Sequence, residues 1–200
     1  MKNWQTKKLD EICHYISRGI SPKYVIHGGV VVLNQKCIRN HEISYTEAKR
    51  HNNHAKVFSN EKLIQIGDVL VNSTGVGTLG RVAQVKSIDE PTLVDSHITI
   101  VRPFKNIFDV NFFGWAMIFV EDLIKEMGAG TSGQTELSRI TLKEIEISYP
   151  ESLSEQRSIA ANLDALSAET KKLEAIYKQK LVSLAELKKS VLKKAFGGEL

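Results

Sequence analysis

Residues 151–198 read ESLSEQRSIAANLDALSAETKKLEAIYKQKLVSLAELKKSVLKKAFGG, and between Glu151 and Phe196 there is neither glycine nor proline. Removing the two strongest helix breakers from such a run predicts helix from end to end. Ser152-Leu-Ser-Glu155 has the spacing of a capping box, with Ser152 accepting the Glu155 amide and Glu155 reaching back, and Gly197-Gly198 supplies the stop. Leu163, Thr170, Tyr177, Leu184 and Val191 share one heptad position, while Ile159, Leu166, Leu173, Lys180 and Leu187 share the other. A seam kept for about four heptads is the pattern of a coiled coil, and the alternative is one long core helix.

Charge along this helix is uneven. Glu151 to Thr170 carries four acids and one Arg, whereas Lys171 to Lys194 carries eight Lys against Glu174 and Glu186. Two parallel copies would align like with like, but antiparallel copies would set the acidic half of one against the basic half of the other. We therefore expect an antiparallel coiled coil. At 1.5 Å per residue the rod would be ~70 Å long, which suits a spacer or dimer stalk better than a buried element.

Outward from that helix, residues 1–150 read as a mixed α/β domain, so the chain divides into a domain at 1–150 and a helix at 151–200, an α+β arrangement overall. Gly29–Leu33, Leu63–Val71, Arg81–Val85 and His97–Val101 are strand candidates by β-branched content or alternation, the last bounded by Pro103. Asn111–Met127 is apolar at helical spacing, with Gly128-Ala-Gly130 as its stop, and Leu142–Ser148 alternates again before Pro150.

The bulk composition excludes several classes. Hydrophobic residues at 42% and charged residues at 25% argue against a disordered or collagen-like chain. The net charge of +4, from 27 Lys and Arg against 23 Asp and Glu, permits an anionic partner without requiring one. Cys13 and Cys37 are too few for a disulfide framework or a four-ligand zinc site, so a reducing compartment fits and no metal is expected. The opening MKNWQTKKLDEI lacks an apolar signal core, and Phe108–Ile124 is broken by Asp109, Asn111, Glu121 and Asp122, so the expected location is the cytoplasm, without a membrane span.

Catalytic motifs fail on context. Gly75-Val-Gly77-Thr-Leu-Gly80 matches the dinucleotide fingerprint, yet Arg81–Val85 alternates like a strand where that motif needs a helix. A glycine-rich hairpin is the better reading. His51 and His54 lack the spacing of a zinc helix. Asp95-Ser-His97 holds the residue types of a hydrolase triad, but neighbours on a strand point to opposite faces. What remains is a set of polar loops: Asn34, Lys36 and Arg39; Asn72, Ser73, Thr74, Gly75, Thr78 and Arg81; Ser96 and His97; Thr131, Ser132 and Gln134. Such side chains hydrogen-bond base edges and phosphates, which makes these residues candidates for DNA contact, but ordinary solvated loops carry the same residues and composition alone favours that reading.

The order of features resembles the specificity subunits of type I restriction-modification enzymes. The resemblance rests on Trp4 to Leu9, Gly19-Ile-Ser-Pro22, Gly67-Asp-Val-Leu70 running into Gly75–Arg81, and Ser96–Pro103. It continues through Gly130-Thr-Ser-Gly-Gln134, Ile140–Ile145, Ser154-Glu-Gln-Arg157 at the helix start and Leu192–Leu200 at its end. Family members often have proline where Ser154 stands, and both residues suit a first helical turn. The chain resembles one half of the usual subunit, which repeats recognition domain and helix twice.

The resemblance implies a non-catalytic DNA reader. Its domain would bind one half-site of a bipartite target, and its helix, through Ile159, Leu163, Leu166, Leu173, Tyr177, Leu184, Leu187 and Val191, would pair with another to fix half-site spacing. Implied partners are double-stranded DNA, an adenine methyltransferase subunit that owns the S-adenosylmethionine site, and a restriction subunit. The absence of any Asn-Pro dipeptide fits, because the adenine methyltransferase motif contains one. A homodimer, a pairing with a different half-subunit, a silent recombination cassette and a gene fragment all remain open. A coiled-coil scaffold with an α/β head is the principal alternative.

Overall fold

In the computed structural model, which describes residues 3–128 and 136–199, strands and short helices fill the chain up to Pro150, and one helix of 44 residues follows. In chain order the strands are β1 (Trp4–Lys8), β2 (Cys13–Arg18), β3 (Tyr24–Val25), β4 (Val30–Leu33), β5 (Ile38–Arg39), β6 (Glu42–Ile43), β7 (Lys49–His51), β8 (Val69–Asn72), β9 (Val82–Gln84), β10 (Thr92–Val94), β11 (Ile98–Pro103) and β12 (Glu146–Pro150). The α-helices are α1 (Leu9–Ile12), α2 (Val110–Phe119), α3 (Glu121–Gly128), α4 (Arg139–Lys143) and α5 (Leu153–Phe196). The α+β reading stands.

Two four-stranded sheets build the domain. One runs β2-β11-β8-β9, antiparallel throughout, and the other runs β10-β4-β7-β3 with β10 parallel to β4. Leu33, Ile38, Leu70, Ala83, Val94, Ile98 and Ile100, all fully buried, form a core cluster fed by strands of both sheets. β1 pairs antiparallel with β12, placing Trp4 opposite Pro150, so the beginning and end of the domain close on each other. A buried ion pair crosses the first sheet: Arg102 donates to both carboxylate oxygens of Asp68, at 2.7 and 2.8 Å, and to the Leu63 carbonyl.

Several sequence expectations are corrected. Of the expected strand Leu63–Val71, only its end is strand, because Gln65 to Asp68 turns, the Gln65 amide donating to the Asp68 carboxylate at 2.7 Å. Asn111–Met127 is two helices broken at Val120, whose φ of −93° and ψ of 7° leave helical geometry. Leu142–Ser148 begins as the end of α4, capped by Ser138, and becomes strand only from Glu146. The stop residues Ala129 and Gly130 lie outside the described residues.

α5 begins with the Glu155 amide on Ser152 Oγ at 3.3 Å, one half of the expected capping box. It ends as the composition predicted: Glu199 donates to the Lys194 carbonyl and Gly198 to that of Ala195, the paired bonds of a Schellman stop. The chain divides into two compact units, Met1–Ser158 and Ile159–Leu200. That division falls inside the helix, eight residues beyond Pro150, because Gln156 is fully buried in the first unit. Its side chain accepts from the Asp109 amide and donates to the carbonyls of Ile107 and Pro150.

Candidate nucleic-acid interface

The connection between β8 and β9 is a hydrogen-bonded, glycine-rich turn. At the end of β8, Asn72 N–H donates to Arg81 O at 2.9 Å and Asn72 O accepts from Gly80 N–H at 2.8 Å. At the tip, Thr78 N–H donates to Gly75 O at 3.1 Å around Val76 and Gly77. Gly77 has φ +71°, the value that the third residue of a type II turn requires. Gly80 has φ +79°, and a Cβ there would lie 2.9 Å from the backbone of Lys125, so glycine alone lets the ribbon approach α3. The dinucleotide alternative is closed, because the third glycine opens β9 rather than a helix.

Beside this turn lies a cleft of about 820 Å³ lined by Arg39, Asn40, His41, Gly75, Gly77, Leu79, Arg81, Glu121 and Lys125. Its lining holds the cations Arg39, Arg81 and Lys125 against the one acid Glu121. Glu121, nearly buried, sits at the centre: it accepts from the Val82 amide at 2.9 Å and pairs with Lys125 at 2.6 Å and His41 at 3.3 Å. Salt pairing with Glu121 and Asp122 raises the Lys125 amine above its usual value, keeping it a cation. Arg81 donates to Gly77 O at 2.6 Å and Ile38 O at 3.4 Å, tying the turn tip to β5 while its guanidinium stays half-buried at the cleft wall. Arg39 is exposed at the rim.

Three further segments meet the turn. Thr74 Oγ1 and His97 Nδ1 share a 2.6 Å hydrogen bond, and Asn72 Nδ2 donates to Gln35 O. His97 is exposed; its amide is held by the Asp95 carboxylate, which burial pushes above the ordinary range despite the opposing pull of that amide, of His97 and of Lys49. The Leu137 amide donates to Ser73 O, Thr74 bridges Glu136, and Arg18 pairs with Glu136 at 2.8 Å.

The predicted contact residues therefore separate by role. Lys36, Arg39 and His97 are exposed, and Thr74, Gly75, Thr78, Arg81 and Ser96 are half-buried; of these, Arg39, Gly75 and Arg81 line the cleft. Asn72 and Ser73 are fully buried, a correction: Ser73 Oγ bonds Thr99 Oγ1 at 2.6 Å, and the Asn72 amide braces the turn. Asn34 is likewise a brace, accepting from the Lys36 amide and donating to Glu47 O. Thr131, Ser132 and Gln134 lie outside the described residues. Sequence reasoning missed His41, Glu121 and Lys125, whose only signal was charge on segments assigned to loop and helix.

On α5, Leu166, Leu173, Tyr177, Leu184, Leu187 and Val191 are between 45% and 65% exposed, an apolar seam without cover in its own unit; Ile159 and Leu163, nearer the helix start, are half-buried. Among the described residues no cluster of His, Cys, Asp and Glu could hold a metal, and no helix is long and apolar enough to cross a membrane.

Comparison with known proteins gives one family and a consistent fold. The model of the type I restriction modification DNA specificity domain matches residues 1–182. A solved type I R-M system, described for its complex assembly and conformational transition, superposes with a TM-score of 0.78 at 20% identity, over 100% of this chain and 47% of that one. The HsdS subunit from Thermoanaerobacter tengcongensis gives 0.68 at 20% identity, over 100% of this chain and 46% of its own. The type I S subunit from M. genitalium gives 0.60 at 18%, over 86% and 41%. The chain spans about half the length of these structures. No curated protein matches it.

Proposed function

The chain belongs to the type I restriction modification DNA specificity family, and from that premise we propose that its globular unit reads one half of a bipartite target in double-stranded DNA. The observation that carries this reading is that the β8–β9 turn, which meets the Gln35 carbonyl and His97, lines one cleft together with Arg39, His41, Arg81 and Lys125 and the single acid Glu121. Exposed Arg and Lys neutralise phosphates, while a backbone-fixed turn holds Thr74 and Thr78 in place for base edges. In this reading the chain itself performs no chemistry. It recruits an adenine methyltransferase subunit, which binds S-adenosylmethionine, and a restriction subunit, and it works in the cytoplasm.

The exposed seam of α5 is proposed to pair with a second copy, antiparallel, since that orientation sets the acidic first half against the eight lysines of the second. A two-fold axis then demands a palindromic bipartite target. A different half-subunit as partner would give two unlike half-sites. The test is a base-resolution map of adenine methylation in cells where this chain and its methyltransferase subunit are the only modification system. A new bipartite palindrome is expected. With both proteins produced and co-purifying, no new motif would contradict the reading.

A further inference from the structure

We propose that Val76, at the tip of the β8–β9 turn, is a specificity-determining residue that recognises the 5-methyl group of one thymine in the major groove; this rests on the DNA-reading role above. Val76 is 92% exposed, a costly setting for a β-branched apolar side chain. Ile26, Val57 and Phe119 are also mostly exposed, but Val76 alone among them sits between two residues, Gly75 and Gly77, that line the basic cleft. The turn is also braced on every side. Thr78 and Leu79 amides bond Gly75 O, Thr78 Oγ1 bonds Thr74 O, and Arg81 holds Gly77 O. These bonds hold the backbone on either side of Val76, which lowers the ordering cost of presenting its side chain to a ligand.

The chemistry selects the ligand. A two-stranded ribbon fits the major groove, where thymine alone among the four bases offers an apolar group. Arg39, Arg81 and Lys125 beside the tip supply the charge to hold flanking phosphates. The side chains that part base steps as wedges are longer, such as Phe, Leu and Met. Burying one methyl of Val76 against one thymine methyl removes a small apolar area from water, which corresponds to about a three- to fivefold change in affinity.

The test titrates the full chain, reconstituted with its modification subunit, against the mapped target and against duplexes in which each thymine in turn is replaced by deoxyuridine. One replacement should weaken wild-type binding about three- to fivefold. Val76→Ala should weaken binding to the parent duplex by the same factor and lose sensitivity to that replacement, while Val76→Thr, which keeps a methyl, should retain it. Specific wild-type binding with Val76→Ala indistinguishable from it, or with thymine sensitivity surviving in Val76→Ala, overturns the inference and leaves the DNA-reading role standing. Failure of the wild type to distinguish target from random duplex overturns both.

Discussion

The globular unit and the long helix treat their side chains in opposite ways. In the first, several polar groups are turned inward and paired: Arg102 meets Asp68, Gln156 makes bonds to Asp109, Ile107 and Pro150, and Ser73 meets Thr99. On the helix, Leu166, Leu173, Leu184 and Leu187 remain more than half exposed. The difference shows which part is complete alone. A domain with its own buried core folds by itself, whereas a 44-residue helix with an uncovered apolar seam gains its stability by packing against another surface.

The largest expected effect strikes the self-contained unit. Arg102→Ala leaves Asp68 charged and buried at 1% exposure without its partner, and should destabilise that unit by about 3–5 kcal/mol. Urea denaturation followed by Trp4 and Trp115 fluorescence reads this directly. Loss below 1 kcal/mol would mean that the ion pair is not structural.

Next comes the helix. Leu166→Asp with Leu173→Asp puts two charges into the seam and should weaken self-association about a hundredfold or more, read by sedimentation velocity, with the denaturation midpoint of the globular unit unchanged. An unchanged assembly would show that the seam is not the contact.

Smaller effects sharpen the contrast. Arg81→Ala removes a cleft cation and the brace on Gly77 O, and should cost about 1–3 kcal/mol of DNA affinity while leaving self-association intact. A shift in assembly instead would merge the two roles. Ser152→Ala, which removes the oxygen that accepts the Glu155 amide, should cost about 1 kcal/mol in thermal unfolding and nothing in DNA selectivity.

The same contrast explains what the sequence revealed. The helix was readable almost to the residue because its determinants are local: no breaker from Glu151 to Phe196, a serine cap and a double-glycine stop. The globular unit was readable in class but not in detail, because its order is set by distant pairs. Nothing near Trp4–Lys8 indicates that it joins Glu146–Pro150. The helical spacing of Asn111–Met127 runs on through the break at Val120, where Glu121 turns to bond the Val82 amide. Polar type alone picked out Thr74, Thr78 and Arg81, which the fold leaves half-buried in or beside the β8–β9 turn. It also drew in Asn72 and Ser73, whose burial only the fold determines. Glu121 and Lys125 joined the cleft through packing of α3 on the turn, which leaves no local trace.

In the proposed function, one unit reads bases while the paired helix sets their separation. It is tested most directly by measuring affinity for the mapped target against the same half-sites moved apart by about five base pairs, half a helical turn. The wild type should lose about a hundredfold, as two linked contacts fall to one, and the Leu166→Asp, Leu173→Asp variant should bind both duplexes equally. Equal wild-type affinity for both spacings would contradict it.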